Sequence, residues 1–424
     1  MSEAIRRDAV TCALAAIAAV DPGDLVRAAL ERHRVDGDAS LVAVGKAAGT
    51  MMTAAVELLG DRVKRGVVIS PNAVACPDGI SCHVGGHPIP NERGAEGARA
   101  VLRLAQSIGE GDTLLCLVSG GASALMALPA DGLSLADVAS TTSLLLRAGA
   151  TIQELNCVRK HIDQLKGGRL AGAAFPAKVV ALVLSDVVGD ALTTIASGPT
   201  VADPTDVADA IAVLEKRGVW DRVPAAVRAH LQSGADESPK PGDPRLARAE
   251  SYIIGSNVTA AEAACAQARA LGYTARIVTT SMTGEASTVG AAIARATREE
   301  CARLGTRVAL VYAGETTVTV RGTGVGGRNQ ELALGAAIEM DGARGMAVAS
   351  LGTDGVDGPT DAAGAVADGE SIHRARARGR DPVAALAAND TYNFWKSLGA
   401  LVRTGPTGTN VMDIVVAAAV PARA

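Results

Sequence analysis

The stretch Gly314–Leu334, GETTVTVRGTGVGGRNQELAL, constrains the fold more than any other part of this 424-residue chain. The alternating β-branched run Thr316–Val320 predicts a strand. Gly322, Gly324, Gly326 and Gly327 follow as a loop, and a helix is expected to begin near Asn329. Strand, glycine loop and helix start in that order belong to α/β folds. Closely spaced glycines let the main chain approach an anion, and amides at a helix N-terminus bind phosphate or carboxylate. Arg328 adds a planar cationic fork at the same place. The competing reading is a tight structural turn whose arginine merely caps the surface.

The same succession of apolar run and small or polar loop recurs along the chain. Ser40–Val44 leads to Gly45 and Lys46; Leu114–Val118 leads to Ser119, Gly120, Gly121 and Ser123; Val179–Leu184 leads to Ser185, Asp186 and Asp190. Tyr252–Ile254 ends in Gly255, Ser256 and Asn257, and Met346–Leu351 ends in the loop Gly352–Gly364. Such runs predict buried strands with functional groups at their carboxyl ends. Lys46 is a candidate binder of substrate or phosphate, although the rest of GxxxxGK[ST] is missing and a P-loop is excluded. Ser119 and Ser123 lie outside any GxSxG elbow, so a serine hydrolase is not expected. In Asn156–Ala173, Arg159, Lys160, Lys166 and Arg169 are spaced so that subsets share a helix face, and a substrate-facing subset is one reading. Asp186 and Asp190 together suit a hard divalent cation or the orientation of a hydroxyl. Asp354 and Asp357 are candidates for the neighbourhood of substrate, and Thr407, Thr409 and Asn410 for closing the same cleft.

Composition excludes several classes. Hydrophobic residues make up 48% of the chain but aromatic ones only 2%, so the cores must be built from Ala, Val and Leu. A formal charge of −4, with no basic tract interleaved with aromatics, gives no electrostatic reason to expect nucleic acid. The apolar runs alternate with polar turns too often for membrane spans, and the N-terminal MSEAIRRDAV reads as an amphipathic helix, so a cytoplasmic location is expected. Seven dispersed cysteines do not suggest a disulfide framework, and Cys76, Cys82, His83 and His87 form a weak zinc alternative.

The Pro- and Gly-rich stretch Gln232–Pro244 is the best linker. It places a first domain at residues 1–240, possibly continuing through 241–300, and a second at 301–420. The expected architecture is two α/β domains, the first a doubly wound, mainly parallel sheet and the second a smaller mixed-sheet module.

The ordered set of motifs resembles one family, the glycerate 2-kinases with a C-terminal MOFRL domain, whose members are sometimes labelled hydroxypyruvate reductases. The resemblance rests on GKAAG at 45–49, VSGGASAL at 118–125, NCVRKHIDQLKGGRLA at 156–171, LSDVVGD at 184–190 and ASGPT at 196–200. It continues through the glycine-loop segment at 314–334, GTDGVDGPTDAAGA at 352–365 and TGPTGTNVMD at 404–413. It implies ATP-dependent phosphorylation of D-glycerate at C2, a Rossmann-like first domain, and an active cleft between the two domains. It also implies a monomer or homodimer with a small-molecule substrate and no nucleic-acid or membrane partner. On that analogy Lys46 and Arg328 carry catalysis with Asp186. Arg159, Lys160, Asp354, Asp357, Thr407 and Asn410 join Lys46 on substrate, and Asp186 and Asp190 hold Mg2+. Gly120, Gly121, Ser123, Gly255, Ser256, Asn257, Gly324, Gly326 and Gly327 are nucleotide-contact candidates. Two alternatives stand beside this. A nicotinamide-dependent hydroxypyruvate reductase is suggested by Gly322, Gly324 and Gly327 matching GxGxxG, although Arg328 after the last glycine suits phosphate better. A noncatalytic sensor of small carboxylates would use the same anion loops.

Overall fold

Runs of Val, Leu and Ala with no polar face become central strands. In the computed structural model, which describes residues 2–234 and 236–421, twelve strands form two sheets of six, with such runs at their centres. The chain divides into two compact units, Pro22–Ile254, and Met1–Asp21 together with Gly255–Ala424.

The first unit contains β1 (Ala39–Val44), β2 (Val63–Ser70), β3 (Ile80–Val84), β4 (Thr113–Val118), β5 (Lys178–Leu184) and β6 (Ala249–Gly255) in the order β3-β2-β1-β4-β5-β6. The pairs β3/β2, β2/β1, β1/β4 and β4/β5 are parallel. This is the strand order of a Rossmann fold, with its topological switch point between β1 and β4. Both of those strands are buried at every position. Val42, Val44, Ile69, Leu114 and Cys116 form the core with Val101 and Leu104 of the helix Glu92–Gln106. That helix is capped by Asn91, whose side chain accepts from the Gly94 amide at 2.9 Å.

Four helices between β4 and β6, Leu135–Arg147, Ile152–Lys160, Val207–Lys216 and Ala225–Ser233, build a separate cluster around Leu145, Leu155, Ile162, Leu214 and Val227. Capping boxes at Ser134/Asp137, Thr151/Glu154 and Asp206/Asp209 start three of them. The Gln232–Pro244 stretch, whose Ala235 lies outside the described residues, therefore closes a helical excursion. Beyond it the chain returns to the first sheet as β6.

The second unit holds β7 (Thr274–Met282), β8 (Val308–Gly314), β9 (Met346–Gly352), β10 (Gly364–Asp368), β11 (Leu401–Val402) and β12 (Asp413–Ala419) in the order β11-β10-β9-β12-β8-β7. β7 runs parallel to β8, while β12 is antiparallel to both β8 and β9, and β10 to both β9 and β11. The helix Ser2–Ala18 packs on β9 and β12 through the face that carries Ile5, Ala9, Cys12, Ala13 and Ala16. The compact units are thus drawn differently from a division at residue 240, because this apolar face is buried on the mixed sheet. Among the described residues no single helix is long and apolar enough to cross a membrane, although Ser2–Ala18 and Pro22–Arg32 pass that test when taken as a pair.

The strand expected at Thr316–Val320 does not form. Its β-branched pattern is real, but the sheet offers it no ladder, since β8 ends at Gly314 and is already flanked by β7 and β12. The segment is instead fastened to the turn before the helix Ala286–Leu304. Ala286 N–H donates to Thr317 O at 2.9 Å, Thr317 N–H to Gly284 O at 2.8 Å, and Thr319 to the Glu285 carboxylate.

The helices Ala286–Leu304 and Arg328–Glu339 meet through glycine. A Cβ on Gly335 would lie 2.0 Å from Ser287 O, and one on Gly290 would lie 2.0 Å from Leu332 O. Gly335→Ala is expected to cost about 1–3 kcal/mol through overpacking, read as a lowered urea midpoint. An unchanged midpoint would show that the two helices part without cost.

Candidate active site

At the switch point of the first sheet, the loops leaving β1 and β4 are bonded to each other. Ser119 N–H donates to Val44 O at 2.9 Å, Lys46 N–H to Gly120 O at 2.9 Å, and Ala47 N–H to Ser119 Oγ at 3.1 Å. Gly45 has φ 123°, and a Cβ there would lie 2.2 Å from Ser119 Oγ, so only glycine allows this approach. The result is an exposed Lys46 side chain on a rigid, buried main chain. His87 closes the same region, since a Cβ on Gly121 would meet its ring at 2.9 Å. Burial first, and then the Lys46 ammonium, lowers the pKa of His87 and favours its neutral form.

The loops after β5 carry backbone strain. Asp190, Ala196 and Ser197 have φ of 54°, 52° and 60°, a region that non-glycine residues enter at a cost of roughly 1–3 kcal/mol each. Ser197 is fully buried and links two other groups. Its Oγ donates to Asn156 Oδ1 at 3.0 Å and lies 2.9 Å from Ser123 Oγ. This fixes Ser123 beside the Ser119–Gly121 loop. Asp190 Oδ1 is buried with no hydrogen-bond partner among the described residues. A carboxylate oxygen in that state suits a cation, so Asp190 fits one ligand position of a divalent ion whose other ligands would include phosphate and water. The described residues contain no cluster of three or more His, Cys, Asp or Glu arranged for a metal.

The basic segment 159–169 separates into different roles. Lys160, expected on substrate, is 5% exposed and has its charge matched by Asp203 at 3.1 Å inside the unit, which weighs against that assignment. His161 is fully buried between Cys157 O and Glu237. Lys166 is held by Asp163, and Arg169 by Asp236. Arg159 lines a cavity, together with Ser123, Asp163 and Lys166. The zinc alternative falls away because Cys76 and Cys82 are joined as a disulfide.

In the second unit the glycine loop and Arg328 are organised by carboxylates that sequence analysis did not link to them. Arg328 donates to Asp413 through Nε at 2.6 Å and Nη2 at 2.9 Å, and its Nη1 lies 2.9 Å from Glu315. Burial opposes the arginine's charge, but the hydrogen-bonded Asp413, with Glu315 and Asp357, outweighs it and raises the pKa. Burial pushes the Asp413 carboxyl up to about 6 against the pull of Arg328 and Asn329. The guanidinium is thus permanently charged, partly exposed and fixed in direction.

The first-turn amides of the helix Arg328–Glu339 are already matched. Asp357 accepts from Asn329 N–H at 3.0 Å and from Gln330 N–H at 2.9 Å, and a Cβ on Gly327 would lie 2.3 Å from its Cγ. Asp357 is therefore the helix's own anion rather than a substrate ligand, and Gly327 makes room for it. The other loop glycines also face protein. A Cβ on Gly324 would meet Asp390 at 2.5 Å and one on Gly326 would meet Thr391 at 2.2 Å, while Gly324 and Val325 amides donate to Ala388 O and Asp390. Packing against residues 388–391 accounts for these glycines without a nucleotide. Ser256 caps the helix Asn257–Ala270 with Thr259 in a capping box, and Asn257 donates to Thr280 O at 2.7 Å. Both side chains thus order the start of that helix and its neighbouring strand. Thr407 donates to Thr353 O at 2.6 Å, Thr409 to Val20 O at 2.7 Å, and Asn410 accepts from Met412 N–H at 3.3 Å. Asp354 is half-buried and accepts from Val356 N–H at 3.1 Å. These four order the loop before β12.

A Rossmann-ordered sheet with an exposed lysine at its switch point, and a mixed-sheet unit that presents a fixed arginine, define a two-unit α/β protein equipped to handle small anions. Residues 8–232 match the profile described as Domain of unknown function (DUF4147), and residues 308–413 match the MOFRL family. The chain is 44% identical to the D-glycerate 2-kinase of Thermotoga maritima, across 98% of both chains. It is 40% identical to a protein of Agrobacterium vitis with a provisional hydroxypyruvate reductase name, across 94% of this chain and 91% of that one. The crystal structure of glycerate kinase from Thermotoga maritima is 43% identical and superposes with a TM-score of 0.92, covering 99% of this chain and 100% of that one. The chain belongs to the MOFRL-containing glycerate 2-kinase family.

Asp357→Ala is expected to lower stability by about 1–2 kcal/mol by denaturant titration, with Asp357→Asn losing less because one acceptor remains. Wild-type stability in the alanine variant would mean that this carboxylate does not cap the helix.

Proposed function

We propose that this chain transfers the terminal phosphoryl group of ATP to the C2 hydroxyl of D-glycerate, giving 2-phosphoglycerate and ADP. The observation that carries the reading is the end-to-end match to a D-glycerate 2-kinase, 98% of each chain. The geometry supplies groups suited to each requirement of that chemistry. Phosphoryl transfer needs the acceptor hydroxyl in line with the phosphorus and the charge on the transferring group neutralised; strong general-base catalysis is not required. Lys46 is assigned to the substrate carboxylate or the transferring group. Arg328, whose direction is set by Asp413 and Glu315, stabilises charge during transfer. Asp186 and Asp190 are assigned to the cation and to orientation of the attacking hydroxyl. When bound, Mg2+ would neutralise charge on the donor phosphates.

The reductase reading relies on the glycine loop as a dinucleotide fingerprint. In that fingerprint the pyrophosphate occupies the helix N-terminus. Here the Asp357 carboxylate takes the Asn329 and Gln330 amides, which weighs against a dinucleotide at this loop.

Purified protein given D-glycerate, ATP and Mg2+ is expected to form 2-phosphoglycerate, identified by product-resolved NMR, without oxidising reduced nicotinamide when hydroxypyruvate is supplied. Chelation of Mg2+ should abolish turnover. Formation of 3-phosphoglycerate would overturn the C2 assignment. Nicotinamide oxidation without phosphorylated product would overturn the kinase reading.

A further inference from the structure

The first unit holds a cavity of about 470 Å3 among the loop Pro88–Pro90, the short helix Ala122–Leu125 and the helix Leu135–Arg147. Most of its wall is apolar, supplied by Ile89, Ala127, Val138 and Leu146, with the hydroxyls of Thr142 and Ser143 set into it. Ser123, Arg159, Asp163 and Lys166 also line it. This volume lies within the range of sites for nucleotide-sized molecules.

Arg159 distinguishes this cavity from a packing defect. Among the described residues its guanidinium has no hydrogen-bond or ion-pair partner, and its charged neighbours are Asp163 and Lys166. Asp163 is fully engaged elsewhere. It accepts from the Leu128, Leu165 and Lys166 amides and from Lys166 Nζ. A half-buried guanidinium with no protein partner can take an oxyanion from outside, and its fork suits phosphate or carboxylate bidentately. Burial lowers the arginine's pKa, so an arriving anion would also relieve a desolvation cost.

The walls decide what the anion is attached to. D-Glycerate bears an oxygen on every carbon, and an apolar wall would leave those groups without partners. A purine has two apolar faces for Ile89, Val138 and Leu146, and a polar edge for Thr142 and Ser143. We infer that this cavity takes the base and ribose of the purine nucleotide donor, with its phosphates passing Arg159 and Ser123. Continuity supports the path: Pro88 follows His87, whose ring lies against Gly121 and whose ionisation is lowered by Lys46. The inference rests on the phosphotransfer reading and gives that reading's donor a place in the first unit.

The test uses the full chain and two probes. Photolabelling of the wild type with 8-azido-ADP is expected to mark peptides containing Pro88–Pro90 or Leu135–Arg147, and labelling confined to other peptides would overturn the assignment. Calorimetric titration should show Arg159→Gln weakening ADP about tenfold while leaving adenosine unchanged. Ala139→Trp, which fills the cavity, should weaken both. Loss of D-glycerate affinity with ADP affinity unchanged would make this the substrate pocket and contradict the inference. Unchanged ADP affinity in both variants, with 2-phosphoglycerate still formed, would sink the cavity assignment alone. Wild-type labelling here without any phosphorylated product would support the cavity assignment and contradict the kinase reading.

Discussion

The pairing of a helix N-terminus with an internal carboxylate governs the second unit. Asp357 neutralises the first turn of Arg328–Glu339, and Asp413, the first residue of β12, clamps the arginine that begins that helix. Asn329 joins the two, since its amide side chain donates to both carboxylates and accepts from Ser350 of β9. Neither carboxylate is placed as a ligand for substrate. Asp413 fixes the Arg328 side chain and Asp357 the first turn that carries it, so the positive charge is held in one direction. The same pairing requires glycine at 327, because any side chain there would overlap Asp357.

The first unit reaches a similar end by backbone means. Its functional groups sit where a parallel sheet changes winding direction, and the β1 and β4 exit loops hold each other through main-chain bonds and Ser119. Strain at Asp190, Ala196 and Ser197 lies in the loops after β5 and is sustained by the buried Asn156–Ser197–Ser123 chain. Side chains here stand on loops held by buried hydrogen bonds, which suits chemistry whose main demand is alignment.

Much of the fold was legible because it is local. Apolar runs of five or six residues marked β1, β4, β5 and β9. β10 escaped notice because Gly364–Asp368 reads GAVAD, with a single β-branched residue. Thr316–Val320 misled for the opposite reason, as its strand propensity is high but no edge is open to it. Site residues were legible as positions, through the ordered motifs, but not as roles. Asp413 meets Arg328 across 85 residues and Asp203 meets Lys160 across 43, and no local pattern encodes either pairing. Lys160 reads as facing substrate, and nothing near it in the sequence announces its buried partner Asp203. The glycine loop looked like an anion cradle, and the structure supplies that anion from within the chain.

The central claim is that Asp413 acts through Arg328. A double-mutant cycle with Arg328→Gln and Asp413→Asn, followed by kcat/KM for D-glycerate in protein shown to be folded by near-ultraviolet circular dichroism, tests it most directly. The account predicts strong non-additivity: each single variant loses about 10²-fold or more, and the double variant loses little beyond Arg328→Gln alone. Fully additive losses would contradict it, because Asp413 would then act independently of the arginine it holds.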